Sequence, residues 1–540
     1  MKIVYAPSGK RMLPYPPVAP FMLAASVSAS GGPEPHVVDL EIMLSSLYER
    51  GQKSLLYGDG LLPAEALESI PSSEVEAYGD LLAELVGLDG EDVAISVMGY
   101  PQLASALLLA RRALEGGGHV IMGGQFWSEE SALQALGALS AFGDATVTIG
   151  DGWDAIAAFA ADPREVPPNS YGLRRGEISV GPQMGRAVPP QPDYSSAQWD
   201  LYRDYASKVY RCADEDTRRC HLFIWDKICN FRCAFCRVAS GSKATLTPPT
   251  QALASIEHLL DEGVTQMNFM TNELNPSRTY MLRFLDGLEE CLRRSGRLDD
   301  APVHWLSYVR ADALEPEDMR KFRRVGGRFA RYGVESGSQP LLNLMRKDYE
   351  VTTIERTLSH AEQADIWNHI NLLVGFPGEK GSDIDASCAF LERNASKIHS
   401  VRINPFYLPP DTPIARTPEE FGITLTRFNK GWWEYQLGDG SSPSPDAVVD
   451  NINRISQTCV DLDISFAGND PFLLLDILGH HESRDAARSE LRERFPFFWD
   501  ARPPAYYQAL VGGYEASVSP AWRDTALKRG ENYSLAFCTD

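Results

Sequence analysis

Along the first 165 residues, short apolar runs alternate with longer stretches in which apolar side chains recur every three or four positions. The runs Ile3–Ala6, Val37–Leu40, Val93–Met98, Val120–Met122 and Thr146–Ile149 predict strands, and amphipathic stretches around 18–30, 75–88, 101–115, 129–141 and 153–161 predict helices between them. This alternation predicts an α/β fold with a doubly wound, largely parallel sheet covered on both faces. The strands run into turn-forming residues: Pro7-Ser8-Gly9, Gly99-Tyr100-Pro101, Gly123-Gly124 and Gly150-Asp151-Gly152. In such sheets ligands bind beyond the carboxyl ends of the strands, where glycine lets backbone approach closely. Taken singly, each glycine pair is no more than a tight turn.

From about Asp162 to Ala197 Pro, Gly and Ser accumulate, which predicts a linker at 166–204. Strand and helix patterns then alternate again over 205–415, with strands at 221–225, 265–270, 303–308, 328–334, 369–374 and 400–405. Chemistry on βα repeats belongs at the carboxyl ends of the strands. Residues 416–540 read as a mixed C-terminal domain. Its aromatic groups, Trp432-Trp433-Glu434-Tyr435, Phe495-Pro496-Phe497-Phe498-Trp499 and Tyr506-Tyr507, suit either a core or a cap over a substrate pocket.

Composition narrows the partners. The 540 residues carry a net charge of −22 with no long Lys/Arg cluster, which speaks against nucleic acid and anionic membrane surfaces. No apolar run of membrane-spanning length and no signal peptide is expected. Nine cysteines, all at or after Cys212, suit a reducing cytoplasmic setting.

Three of these cysteines, Cys229, Cys233 and Cys236, have the spacing C-x3-C-x2-C. Three such thiolates can hold three irons of a [4Fe–4S] cluster and leave the fourth iron for another ligand. Zinc would ask for a second ligand pair nearby, and the next cysteine is Cys291. The loop follows the strand-like run His221-Leu222-Phe223-Ile224-Trp225 and places Phe235 before its last cysteine. It resembles the cluster loop of the radical S-adenosylmethionine (SAM) superfamily. The resemblance implies that 205–415 is a (β/α)6 partial barrel.

Residues 1–165 are similar to the cobalamin-binding domain that precedes many radical SAM cores, with Asp151 and Asp154 where that family carries glutamates. The resemblance implies cobalamin contacts at Gly99, Gly123, Gly124, Gly150, Asp151 and Gly152. The family's D-x-H-x-x-G loop is missing: the histidines before residue 200 are His36 and His119, neither in that context. No histidine is therefore expected below the cobalt. Methylthiotransferases of the superfamily bind a second cluster through N-terminal cysteines, and this N-terminal region has none.

Within the core, Met270-Thr271-Asn272-Glu273 stands where the family has Gly-Gly-Glu, and Tyr332-Gly333-Val334-Glu335-Ser336 where its ribose contacts lie. Leu372 to Glu379 is similar to the family's edge beside adenine, and Arg402-Ile403-Asn404 ends the sixth strand. The resemblance implies SAM contacts at Phe235, Asn272, Glu335, Ser336, Gly375 and Asn404. One subgroup, which methylates C2 of L-tryptophan in thiostrepton-type peptide antibiotic assembly, uses a glutamate on the fourth iron. Glu273 matches that place. Such a carboxylate would keep SAM off the cluster and favour polar transfer through methylcobalamin, with Tyr308 handling the indole N1 proton. Glu273 could equally bind the SAM amino group, and Tyr308 could equally be a core tyrosine. Arg310 and Arg402 are candidates for a substrate or SAM carboxylate. A radical cobalamin-dependent methylase and a non-enzymatic iron–sulfur or cobalamin carrier stay open as alternatives. An electron donor for cobalamin reduction completes the expected partners.

Overall fold

The computed structural model describes residues 1–7, 15–49, 72–124, 127–184, 190–210, 216–224, 229–238, 248–299, 303–312, 314–429, 432–441, 444–468 and 471–500. The chain divides into two compact units, Met1–Leu222 and Phe223–Asp540. No helix among the described residues is long and apolar enough to cross a membrane.

The first unit is built on β1 (Lys2–Tyr5), β2 (His36–Asp39), β3 (Val93–Ser96), β4 (Val120–Gly123), β5 (Ala145–Thr148), β6 (Ser170–Arg174) and β7 (Glu177–Val180), in the order β2-β1-β3-β4-β5-β6-β7. The first five strands pair in parallel, as the alternation predicts. Val93, Ala94, Ile95 and Ser96 of β3 are all buried, the mark of a strand covered on both faces. The predicted helices form at Val18–Ala29, Ser72–Val86, Tyr100–Glu115, Glu129–Leu139 and Trp153–Ala161. A further helix, Leu40–Glu49, starts where the second strand was expected to continue. The carboxylate of Asp39 accepts from the backbone N–H groups of Glu41 and Ile42 and so caps that helix.

The stretch expected as a linker, 166–204, contains β6, β7 and the start of the helix Trp199–Tyr210. β6 joins β5 antiparallel and β7 joins β6 antiparallel. Arg175 and Gly176 form the two-residue turn between them with φ of 53° and 83°, the left-handed pair a tight hairpin needs. β7 is exposed along its whole length, and its alternation at Ile178 and Val180 is too short to stand out in a stretch rich in Pro and Gly.

The second sheet runs in sequence order through β8 (Arg218–Phe223), β9 (Val264–Met270), β10 (His304–Tyr308), β11 (Gly327–Glu335), β12 (Trp367–Val374) and β13 (Ser400–Pro405). β9 to β13 pair in parallel. The connecting helices Pro249–Asp261, Arg278–Arg294, Pro316–Arg324, Val351–Gln363 and Gly381–Asn394, with Pro445–Asp461 packed on the last strands, complete a (β/α)6 array. Phe269 and Trp305 face those helices, packing on Phe284 and Phe322. Side chains alternate along a strand, so His304, Leu306 and Tyr308 face the opposite, inner side.

The C-terminal region serves both ends of this sheet. The hairpin β14 (Ile423–Asn429) and β15 (Trp432–Leu437) packs Ile423, Trp433 and Tyr435 into an apolar cluster with Ala234 and Phe235 of the cysteine loop. Farther on, Gly468 lies against His369, the side chain of Asp476 accepts from Gln266, and Gly479 abuts His304. Gln266 and His304 lie in the amino-terminal halves of their strands, so this segment closes the end opposite to the cysteines. Tyr506 and Tyr507 lie outside the described residues.

Candidate cluster and cofactor site

The loop carrying the three cysteines is held by backbone hydrogen bonds. Cys229 N donates to Val238 O at 3.0 Å, Ala234 N to Met345 O at 2.8 Å, and Ile414 N to Ala234 O at 3.0 Å. Cys229 and Cys233 are buried and Cys236 is half-buried. Glu273 reaches them from the loop after β9. Leu274 N donates to Tyr308 O, Asn275 exchanges two hydrogen bonds with the backbone of Arg310, and Thr271 Oγ1 donates to Glu273 O. This pinned turn aims the carboxylate at Cys229, whose Sγ lies 3.5 and 3.4 Å from Oε1 and Oε2.

Burial and the neighbouring Glu273 push the Cys229 thiol up to about 12. Burial also raises Cys233, and it raises Glu273 against the pull of Cys229, Arg310 and Lys347. Buried anionic ligands of this kind are stable only beside a cation. A carboxylate in contact with Cys229, whose loop also carries Cys233 and Cys236, gives a donor set of thiols and one oxygen that suits an iron–sulfur cluster.

The other nominated residues fall into distinct roles. Arg310, read from sequence as a carboxylate binder, is already engaged: its guanidinium stacks 3.7 Å from the Phe231 ring, donates to the carbonyls of Lys347 and Asp348, and pairs with Asp312. Ser336 is buried, sharing hydrogen bonds with Ser387 Oγ and Ser338 N. Glu335 stands at the end of β11 with φ of 67°, an uncommon conformation for a side-chain-bearing residue. It pairs with Lys347 Nζ at 2.9 Å. Gly375 N donates to Glu379 Oε2 at 2.7 Å, which folds the loop after β12 back on itself. Burial raises the Glu379 carboxyl to about 7. Asn404 Oδ1 accepts from Arg402 Nε at 2.9 Å, and Asn272 is half-buried beside Glu273. Tyr308 presents its ring to the inner face, 5.6 Å from the Arg331 guanidinium.

Lys347 and Arg331 escaped the sequence reading. Lys347 sits in the run Arg346-Lys347-Asp348, which has the look of solvent-facing charge, yet its ammonium lies 5.5 Å from the Phe235 ring. Arg331, like Arg328, is a charge inside a buried strand, and that mismatch was the available signal.

In the first unit the strand order places the reversal of winding between β1 and β3. Buried Gln102 bridges this point: its amide accepts from Met98 N at 2.6 Å and donates to Ala6 O. Gly99 caps the following helix, and Gly123, Gly124, Gly150, Asp151 and Gly152 cluster after β4 and β5. A Cβ on Gly124, whose φ is 132°, would lie 2.1 Å from Val97 O. These glycines leave the carboxyl edge of the sheet as bare backbone, a surface that fits a large planar cofactor.

The description of the Radical SAM superfamily matches residues 225–391. Among curated proteins, the tRNA-2-methylthio-N(6)-dimethylallyladenosine synthase of Dichelobacter nodosus is 27% identical over 216 residues, covering 37% of this chain and 44% of that protein. The ribosomal protein uS12 methylthiotransferase RimO of Kineococcus radiotolerans is 26% identical over 172 residues, covering 31% and 35%. The chain thus spans less than half the length of these relatives. Among solved structures, the radical SAM methyltransferase TsrM of Kitasatospora setae, with cobalamin and a [4Fe–4S] cluster bound, aligns with a TM-score of 0.54 over 94% of this chain and 99% of that one, at 16% identity. The cobalamin-dependent SAM radical enzyme OxsB aligns with a TM-score of 0.58 over 98% and 75%, at 13% identity. Residues 225–391 are thus similar to the Radical SAM superfamily, and the chain has an α/β fold like that of the solved structures of TsrM and OxsB.

Proposed function

We propose that this protein is a cobalamin- and SAM-dependent C-methyltransferase that methylates C2 of L-tryptophan by polar transfer in peptide-antibiotic biosynthesis. The observation that carries the reading is Glu273, whose carboxylate stands against Cys229 where a fourth cluster ligand would be. Cys229, Cys233 and Cys236 would hold the cluster, and Glu273 would deny SAM its usual place on the fourth iron. Cobalamin, when bound, supplies the centre that carries a methyl group between SAM and substrate. The glycine-edged strands β3 to β5 would hold it, and Asn272, Gly375 and Asn404 would contact SAM. Tyr308, on the inner face with no hydrogen bond to its hydroxyl among the described residues, would orient or accept the indole N1 proton. A TsrM structure with tryptophan and a SAM analogue bound aligns over 80% of this chain with a TM-score of 0.50, which supports a small-molecule substrate.

A radical cobalamin-dependent methylase is the second reading, favoured by the likeness to OxsB. Methylthiotransfer, the activity named for the curated relatives, is disfavoured because residues 1–211 offer no cysteine for a second cluster. The deciding experiment supplies the anaerobically reconstituted protein with SAM, reduced cobalamin and L-tryptophan. Formation of 2-methyltryptophan without stoichiometric 5′-deoxyadenosine supports polar transfer; one 5′-deoxyadenosine per methylated product moves the assignment to the radical reading.

A further inference from the structure

The inner face of the second sheet carries two guanidinium groups that meet no carboxylate among the described residues. In the strand register Tyr308 stands beside Arg331, Arg331 beside His369, and Asn371 beside Arg402. Tyr308 faces inward, so Arg331 and His369 form one inward layer with it, and Arg402 belongs to the next layer towards the strand ends. Gly333 neighbours Asn371 in that second layer, with the Glu335 and Lys347 side chains closing over it.

Arg331 is buried, donates through Nη2 to the carbonyl of Gly468, and has no partner for its Nε. Arg402 spends its Nε on the neutral amide oxygen of Asn404. Among the described residues neither meets a carboxylate. The nearby acids are committed elsewhere: Glu335 to Lys347, and Asp476 to Gln266 at the closed end. Burial, with Arg331 and Arg402 adding to it, holds the His369 imidazole well below its ordinary range, so histidine supplies no negative charge either. A buried guanidinium left without an anion is costly, and its planar fork is shaped for a carboxylate.

We propose that Arg331 and Arg402 together bind the carboxylate of an amino acid admitted into the sheet's inner face, with Tyr308 beside its side chain. The assignment deepens the tryptophan reading and depends on it only for which amino acid enters. The same carboxylate could belong to the methionine moiety of SAM, and the test separates the two sources.

Binding to the reconstituted wild-type protein is measured by calorimetry for matched pairs: L-tryptophan against tryptamine, L-tyrosine against tyramine, and S-adenosylhomocysteine against 5′-methylthioadenosine. The expected result is tryptophan bound roughly 10- to 100-fold more tightly than tryptamine. Arg331→Gln and Arg402→Gln should each erase most of that preference while leaving tryptamine affinity within about threefold. Arg331→Lys keeps the charge and loses the fork, so it should fall between. Melting curves of each variant establish that it is folded. A preference seen with tyrosine in place of tryptophan would keep the carboxylate site and sink the tryptophan reading. A preference confined to the S-adenosylhomocysteine pair, and lost in the Arg variants, would assign the carboxylate to the cofactor. Equal affinities within every pair, or a preference that survives both Gln variants, would overturn the proposal.

Discussion

Glu273 and Cys229 lie forty-four positions apart in sequence, yet the carboxylate oxygens of one stand 3.5 and 3.4 Å from the sulfur of the other. The contact joins the loop after β9 to the loop after β8. It sets a carboxylate against the three-cysteine motif, where we propose a fourth ligand, and the first two predictions follow from it.

The triple variant Cys229→Ala, Cys233→Ala, Cys236→Ala should take up no stable [4Fe–4S] cluster. Iron analysis and the visible absorbance after anaerobic reconstitution check this. Four irons per chain in the triple variant would show that the cluster is held elsewhere.

Glu273→Ala removes the proposed fourth ligand and should let SAM reach the cluster, so 5′-deoxyadenosine should accumulate under strong reductant where wild type makes little. Glu273→Gln keeps the shape without the charge and should resemble the Ala variant. Chromatographic quantification of 5′-deoxyadenosine reads the result, and unchanged levels in both variants would remove the ligand role.

The Glu335–Lys347 pair, with both side chains nearly buried, fastens the end of β11 beside the cysteine loop. Burial works against the Lys347 charge, but Glu335 and its neighbours override it and hold the ammonium above its ordinary range. Lys347→Met should cost about 3–5 kcal/mol by stranding the carboxylate. The double variant with Glu335→Gln should recover a large part of that loss. Equilibrium denaturation of the two variants tests it, and an equal loss in both would show that packing, not charge, is at stake.

Gly124→Ala should lower stability by about 2 kcal/mol or more, because its methyl would collide with Val97 O at a φ of 132°. Gly150→Ala meets no atom within 4 Å and carries only the strain of φ 81°. Both should weaken hydroxocobalamin uptake, Gly124→Ala more severely. Spectrophotometric titration with hydroxocobalamin would count against the glycine edge as a cofactor seat if neither variant differed from wild type.

Stability should fall as pH rises towards neutrality through one identifiable group. Burial raises the folded-state Glu379 carboxyl from 4.5 to about 7, against the hydrogen bond from Gly375 N and with Asp383 adding to the rise. The folded state therefore holds a proton that the unfolded chain has released, and this contribution is fully present below about pH 4.5 and lost above about pH 7. Its size is on the order of 3 kcal/mol. Glu379→Gln should flatten the stability profile across that window, and urea denaturation at successive pH values measures the slope.

Both sheets were legible in the chain. The strands from Ile3, Val93 and Val120 announce themselves because a strand buried on both faces is largely apolar. Those ending at Met270, Tyr308 and Val374 do so through their apolar and aromatic residues, although Gln266, Asn268, Ser307, Asn368 and His369 are buried among them. β6 and β7 were not legible, because two strands of five and four residues, joined by a tight turn at Arg175-Gly176, lie in a stretch whose Pro and Gly read as a linker. The helix Leu40–Glu49 was hidden because Asp39 caps it directly from the end of a strand.

By itself the sequence determined the α/β alternation, the thiol spacing at Cys229, Cys233 and Cys236, and the glycines at the strand ends, since each is a relation among neighbours in the chain. Tertiary structure alone decided that Glu273 meets Cys229, that Lys347 turns inward to Glu335, that Arg310 is spent on Phe231 and Asp312, and that Arg331 and Arg402 share an inner face on which neither meets a carboxylate among the described residues. Those relations depend on the register between strands and on loops pinned by long-range backbone hydrogen bonds, and neither residue type nor local spacing encodes them.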